Sequence, residues 1–203
     1  LVGALRDGHP RTAMYAGIGL GRIGYEEGVP ELLALLERNA DQDLWLRHGA
    51  IMGLVGIEKR LWIGEMYHDS KYVRMGILLA LRKLRDPEIA SFLRDDEKSL
   101  SHEAIRAIND LPMLSLQAEL AELIEDYLPG GTAEMPDSEI DAFMHHRIIN
   151  ANYYEAKAGN ARSLLRYAAN SELPARLRQE ALAAIEGWND HCLLYTSPSP
   201  RDS

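Results

Sequence analysis

Cysteine is almost absent from this chain, which has one, Cys192, among its 203 residues. One cysteine cannot form an internal disulfide or a cysteine-ligated zinc site, so neither framework is expected. Long hydrophobic runs are lacking as well. The longest, such as residues 75–81, fall far short of the roughly 18 to 20 apolar residues that a membrane-spanning helix needs. The sequence therefore predicts no membrane span.

Positive charge is also scarce, with 22 lysines and arginines against 31 acidic residues and a net charge of -9. This balance opposes general attraction to nucleic acid or to anionic lipid. Hydrophobic residues make up 46% of the chain, which is enough for the core of an ordinary globular domain. We therefore expect the partners to be proteins or neighbouring modules of the same chain.

Residues 192–203 read as a translated sequencing adapter rather than as native protein, from Cys192 through the Ser-Pro-Ser-Pro-Arg-Asp run. We expect this tail to be non-native and disordered, and residues 1–191 to be a fragment truncated at both ends. Without the tail no cysteine remains, which excludes thiolate catalysis from the native part.

One helical pattern recurs along residues 1–191. Residues 43–54, 71–81 and 174–185 each place an aliphatic residue, an arginine and then apolar residues at helical spacing. We call the arginine position of this pattern the repeat position; it is occupied by Arg11, Arg47, Arg74, His102 and Arg178. Residues 139–153 supply a further helix. Shorter second helices are predicted at residues 30–39, 59–67, 87–94, 115–127 and 160–169. Irregular repeats of helix pairs are typical of an all-α solenoid.

The residues that carry this pattern resemble HEAT repeats, most clearly Leu-Arg-His-Gly-Ala at 46–50 and residues 81–112. More narrowly, residues 103–112 and 146–152 resemble the HEAT segment of large exported bacterial proteins of the PVC type. The resemblance implies a right-handed α-solenoid of about five to six irregular helix pairs. It also implies an exported parent, which in that family is a membrane-bound dehydrogenase or haem-binding protein.

In such a parent, a sugar-dehydrogenase-like propeller with PQQ and a c-type cytochrome with haem would lie in other modules. No C-x-x-C-H motif occurs in this segment, so no cofactor residue is carried over and no catalytic residue is predicted. The favoured function is a non-catalytic scaffold for protein–protein or inter-module contacts. A free-standing cytosolic HEAT adaptor is the alternative.

A remote alternative is an NAD-binding fragment, because Gly19, Gly21 and Gly24 fit G-x-G-x-x-G. That motif needs a strand before the glycines and an uninterrupted helix after them. Here residues 32–38 read as helix where a second strand belongs. Small residues around Gly17 and Gly21 more simply predict close helix packing.

Candidate binding residues fall into three groups. Adjacent His145 and His146 would project about 100° apart on a helix, so no metal site is predicted. The arginines at the repeat position are expected to bond an aspartate, such as Asp43 or Asp69, or a backbone carbonyl, with an anion-binding ladder as the alternative. The aromatic residues that could form a partner surface, or else belong to the core, are Trp45, Trp62, Tyr72, Tyr153 and Tyr154.

Overall fold

The structure of the chain is a computed structural model that describes residues 1–6, 9–111, 113–131 and 139–188, without the side chains of 139 and 140. The adapter-like tail, residues 192–203, lies outside the described residues. Contacts divide the chain into two compact units, Leu1–Ala104 and Ile105–Ser203.

The described residues are helical and contain no strand, which confirms the all-α prediction. The α-helices are α1 (Pro10–Arg22), α2 (Val29–Asn39), α3 (Leu44–Val55), α4 (Lys71–Leu84), α5 (Lys98–Asp110), α6 (Gln117–Glu122), α7 (Glu139–Glu155), α8 (Ala158–Ala169) and α9 (Ala175–Glu186). Short 3₁₀ helices lie between several of them. The predicted second helices at 30–39 and 160–169 are therefore confirmed as α2 and α8.

Two of the predicted second helices form only 3₁₀ turns. The first is split into Lys59–Leu61 and Ile63–Tyr67, and the second is Pro87–Phe92. Trp62 interrupts the first with a φ of -131°, outside the helical region, while its indole fills the core. Asp86 caps the second, since its carboxylate accepts a hydrogen bond from the Glu88 amide at 3.0 Å.

In the first unit, α1 and α3 are in close backbone contact through glycines. A Cβ added to Gly17 would lie 2.6 Å from the carbonyl oxygen of Gly49, and Gly21 faces Met52 and Gly53 further along. The contacts advance together along both helices, so α1 and α3 run in the same direction. Helix α2 connects them and packs against α3. The small residues predicted to allow close packing do so.

The connection from α2 to α3 is held by reciprocal hydrogen bonds between Asn39 and Asp43. The Asn39 amide donates to the Asp43 carbonyl at 2.9 Å, and the Asp43 amide donates to Asn39 Oδ1 at 3.1 Å. Asp43 also caps α3, because its carboxylate accepts from the amides of Trp45 and Leu46 at 2.7 and 3.2 Å. The first turn of α3 is thereby fixed in position.

The second unit is built around α7, which contacts α6, α8 and α9. Buried Asn152 joins two of these helices: its amide donates to the carbonyls of Ala121 in α6 and Ile148 in α7, at 2.9 and 3.0 Å. These bonds satisfy the buried amide of Asn152, which would otherwise lack partners in the core. Asn152 therefore has a structural role in the second unit.

Candidate partner-binding surface

The five aromatic residues predicted to contact a partner differ in exposure. Trp45 is 69% exposed and Tyr154 is also exposed, whereas Tyr72 and Tyr153 are half-buried. Trp62 is 0% exposed, and its indole N–H points to the Ile57 carbonyl at 3.4 Å. Trp62 therefore belongs to the core of the first unit, the alternative that the sequence left open, and does not form part of a partner surface.

Trp45 lines a groove of about 600 Å³ between the first turns of α1 and α3. We call it the α1/α3 groove; its lining residues are His9, Pro10, Arg11, Met14, Tyr15, Asp43 and Trp45. Tyr15, which was not among the predicted aromatic residues, is 61% exposed. Helical spacing could have identified it. Ala13, Ala16 and Gly17 are all buried and share one face of α1, so Tyr15 falls on the opposite face. Two exposed aromatic rings therefore share one groove.

Asp43 and Arg11, two charged residues of this groove, differ in their hydrogen bonding. The Asp43 carboxylate is directed to the amides that begin α3. The Arg11 side chain is exposed and makes no hydrogen bond or ion pair with the residues that the structure describes. The guanidinium of Arg11 is thus open to a partner.

The repeat-position arginines form the expected structural bonds in two cases. Arg74 donates to the His68 carbonyl at 3.0 Å and pairs with Asp95 at 3.0 Å, with both side chains mostly buried. A longer contact, 3.4 Å, reaches the predicted Asp69 through its carbonyl. Arg47 pairs with Asp41 at 3.1 Å rather than with Asp43, which is committed to capping α3.

The residues at the other repeat positions differ in exposure and in their partners. Arg11 is exposed, and His102 is half-buried in α5. Arg178 is half-buried, and its Nε has no hydrogen-bond partner among the described residues. The pairing predicted for the whole series therefore holds for Arg47 and Arg74, and it does not extend to Arg11.

A second groove, of about 320 Å³, separates α3 from α4. We call it the α3/α4 groove; its lining residues are Leu44, Arg47, His48, Ile51, Met52, Leu79 and Lys83. These residues are apolar or basic, and no acidic side chain is among them. Leu44, 62% exposed, precedes Trp45 directly in the first turn of α3. The two grooves therefore flank consecutive residues of one helix.

The adjacent histidines in α7 have separate partners. His145 is 2% exposed, and its Nδ1 lies 2.6 Å from the Tyr167 hydroxyl, with the Tyr127 ring packed against it edge-on. Burial raises the pKa of Tyr167, so this phenol stays protonated, and its hydroxyl shares one hydrogen bond with the imidazole nitrogen. His146 pairs instead with Glu180. Among the described residues, no group of three or more potential ligands is placed to hold a metal ion.

The glycine motif lies in a conformation that does not suit a dinucleotide. Gly19 and Gly21 are inside α1, and Gly24, with a φ of 61°, follows that helix. A phosphate-binding loop would have to precede a helix and present its amides to the ligand. Amides inside α1 are used by the helix itself, so the geometry that the dinucleotide alternative requires is absent here.

A scan against protein-family models finds no match to this chain, and a search of curated proteins finds none either. Within the described part of the chain, no helix combines the length and the apolar character needed to cross a bilayer. The two grooves and their lining residues are therefore the basis for assigning a function.

Proposed function

We propose that this chain is a non-catalytic helical-repeat scaffold that holds a protein partner or a neighbouring module of the same polypeptide. The observation that carries the proposal is the exposure of Tyr15 and Trp45 in one groove. Aromatic side chains are enriched among the residues that dominate binding energy at protein interfaces. Exposed rings that share one concave site suggest an interaction surface, whereas single exposed apolar residues are common.

The rigidity of the support favours the same interpretation. Asn39 and Asp43 fix the start of α3, and glycine contacts hold α3 against α1. These contacts hold the backbone that carries Trp45 against α1, the helix that carries Tyr15. A preorganised surface loses less conformational entropy on binding than a mobile one.

The repeat architecture is part of this proposal. We expect a right-handed α-solenoid of about five to six HEAT-like helix pairs, in which each pair packs on its neighbours. Support comes from α1 and α3, which run in the same direction with α2 as the connecting helix. Arg74, which links the start of its own helix to Asp95, supports it as well.

The parent protein is a separate question. The resemblance of residues 103–112 and 146–152 favours a segment of an exported dehydrogenase or cytochrome-type protein, with PQQ and haem c bound by other modules. A free-standing cytosolic adaptor is the alternative. Sequencing the source DNA outward from both ends decides between them, because a propeller or a C-x-x-C-H motif supports the exported parent. A short reading frame without either supports the adaptor.

The binding function is tested by selecting peptides from a random displayed library on the full chain. Selected peptides should lose about tenfold or more in affinity when Tyr15→Ala or Trp45→Ala is introduced. Tyr67→Ala is the matched control, because Tyr67 is 80% exposed in the same unit and does not line the α1/α3 groove. Peptides that bind all three variants and the unmodified chain equally would contradict the proposal.

A further inference from the structure

We infer that the α3/α4 groove binds an acidic peptide segment whose central apolar side chain packs between Leu44 and Leu79. The inference rests on the proposed function, because it specifies the chemistry of the partner that the scaffold holds. It is carried by the charge of the groove, by the state of its cations and by its apolar floor.

The α3/α4 groove is basic, unlike the chain as a whole. The chain carries a net charge of -9, yet the α3/α4 groove is lined by Arg47, Lys83 and His48 and by no acidic side chain. An acidic ligand is repelled by the protein as a whole and attracted at this site. This local complementarity determines where such a ligand binds more than how tightly it binds.

The cations of the α3/α4 groove keep donors that the protein itself leaves unpaired. In α4, Lys71 pairs with Glu97 at 3.1 Å, and Arg82 pairs with Glu103. Lys83 follows Arg82 directly, is exposed, and makes no ion pair or hydrogen bond within the described residues. Arg47 uses one nitrogen, Nη1, for Asp41 and has further N–H groups available. The groove therefore offers donors that the protein itself does not use.

The floor of the α3/α4 groove is formed by apolar side chains. Leu44 is exposed at the rim, Met52 and Leu79 are half-buried, and Ile51 is buried beneath them. An apolar side chain inserted there removes its own surface and that of Leu44 from water. A purely ionic ligand would leave this floor uncovered, which is why we specify a peptide with both acidic and apolar residues.

The groove also continues towards the α1/α3 groove. Leu44 lines one and Trp45 lines the other, and these residues are neighbours in the first turn of α3. A segment that packs on Leu44 therefore lies next to the residue that begins the α1/α3 groove. Single-stranded nucleic acid also carries negative charge, but the net charge of the chain disfavours it.

The test measures fluorescence anisotropy of a labelled Glu-Glu-Leu-Leu-Glu-Glu peptide with the full chain at low salt. It should bind about tenfold tighter than the Lys-Lys-Leu-Leu-Lys-Lys and Glu-Glu-Ser-Ser-Glu-Glu peptides. Lys83→Glu should weaken binding about fivefold or more. The matched control is Arg22→Glu, since Arg22 is an exposed cation in the last turn of α1 outside both grooves. Circular dichroism checks that both variants are folded.

Equal binding of the acidic and basic peptides would overturn the inference, as would equal loss in Lys83→Glu and Arg22→Glu. Tighter binding of a thymidine oligonucleotide, with displacement of the peptide, would also overturn it. The two proposals fail separately. If library-selected peptides depend on Tyr15 but not on Lys83, the acidic-ligand inference is wrong and the scaffold function stands. If the acidic peptide depends on Lys83 while no selected peptide depends on Tyr15 or Trp45, the α1/α3 surface is wrong.

Discussion

Gly17 in α1 faces Gly49 in α3 so closely that a Cβ on Gly17 would lie 2.6 Å from the Gly49 carbonyl oxygen. Gly49 is restricted in the same way, because a Cβ on Gly49 would lie 2.7 Å from the Cα of Met14 in α1. Both obstructing groups are backbone, which cannot move aside as a flexible side chain can. The position of Trp45 relative to Tyr15 depends on this approach of the two helices.

Gly17→Ala should therefore destabilise the first unit by about 1 to 3 kcal/mol, as overpacking in a well-packed interior does. Gly19→Ala is the control in the same helix, because its Cβ would meet only the side chain of Leu1, at 3.3 Å. Alanine is the better helix former, so this control should be neutral or slightly stabilising. Urea unfolding compares the two, and equal stability would contradict the close packing of α1 against α3.

The repeat-position arginines should differ in their contribution to stability. Arg74→Met leaves the mostly buried carboxylate of Asp95 without its cation, which should cost about 2 to 3 kcal/mol. Arg11→Met removes an exposed side chain and should change stability by less than about 0.5 kcal/mol. Thermal unfolding of both variants is the measurement. Equal losses would mean that the repeat position has one common structural role, contrary to the contacts found.

The hydrogen bond between His145 and Tyr167 gives a prediction for the second unit. Tyr167→Phe removes the hydroxyl and leaves the buried imidazole without this partner, at a cost of about 1 to 3 kcal/mol. Tyr67→Phe, at an exposed position, should have no measurable effect. Combining Tyr167→Phe with His145→Leu should cost less than the sum of the single changes. Strict additivity would show that the two groups do not interact.

Glu31 should make the stability of the first unit depend on pH. Its pKa lies below the ordinary value of 4.5, first because Arg6 donates hydrogen bonds to the carboxylate and further because of Arg38. A lowered folded-state pKa means that this stabilisation is complete above pH 4.5 and is lost as the pH falls through the folded-state value.

The difference in unfolding free energy between the unmodified chain and Glu31→Gln should be largest near neutral pH and shrink in acid. Glu27→Gln is the control, because Glu27 is exposed and has no ion pair among the described residues. Urea titrations at several pH values make the comparison. A Glu31→Gln difference that stays constant from neutral pH into acid would contradict the role given to Arg6 and Arg38.

Much of the helical framework could be predicted from the sequence, because helical spacing is a local property. Ile77 lies in the apolar pattern that predicted a helix over residues 71–81, and its side chain is fully buried. For Trp62 the sequence left the core and a partner surface open, since the residue lies between two 3₁₀ helices, where helical periodicity does not set the direction of a side chain. Packing within the first unit decides that direction instead.

The candidate site could be predicted only in part. Trp45 was selected from its type and spacing, but its association with Tyr15 depends on the approach of α1 to α3. The pairing of Arg47 with Asp41 depends on the turn at Ala40 and Asp41, both with positive φ. Lys83 and Leu44 line the same groove only because α4 packs against α3. Contacts between distant parts of the chain leave no simple periodicity in the sequence.

The central claim is that the first turns of α1 and α3 hold a protein segment, and amide-resolved NMR tests it most directly. A peptide selected on the full chain is titrated into the labelled protein. We predict shift changes concentrated at residues 11–15 and 43–48, which are lost in Tyr15→Ala and retained in Tyr67→Ala. Shifts concentrated elsewhere, such as around the exposed Tyr67, would contradict the claim.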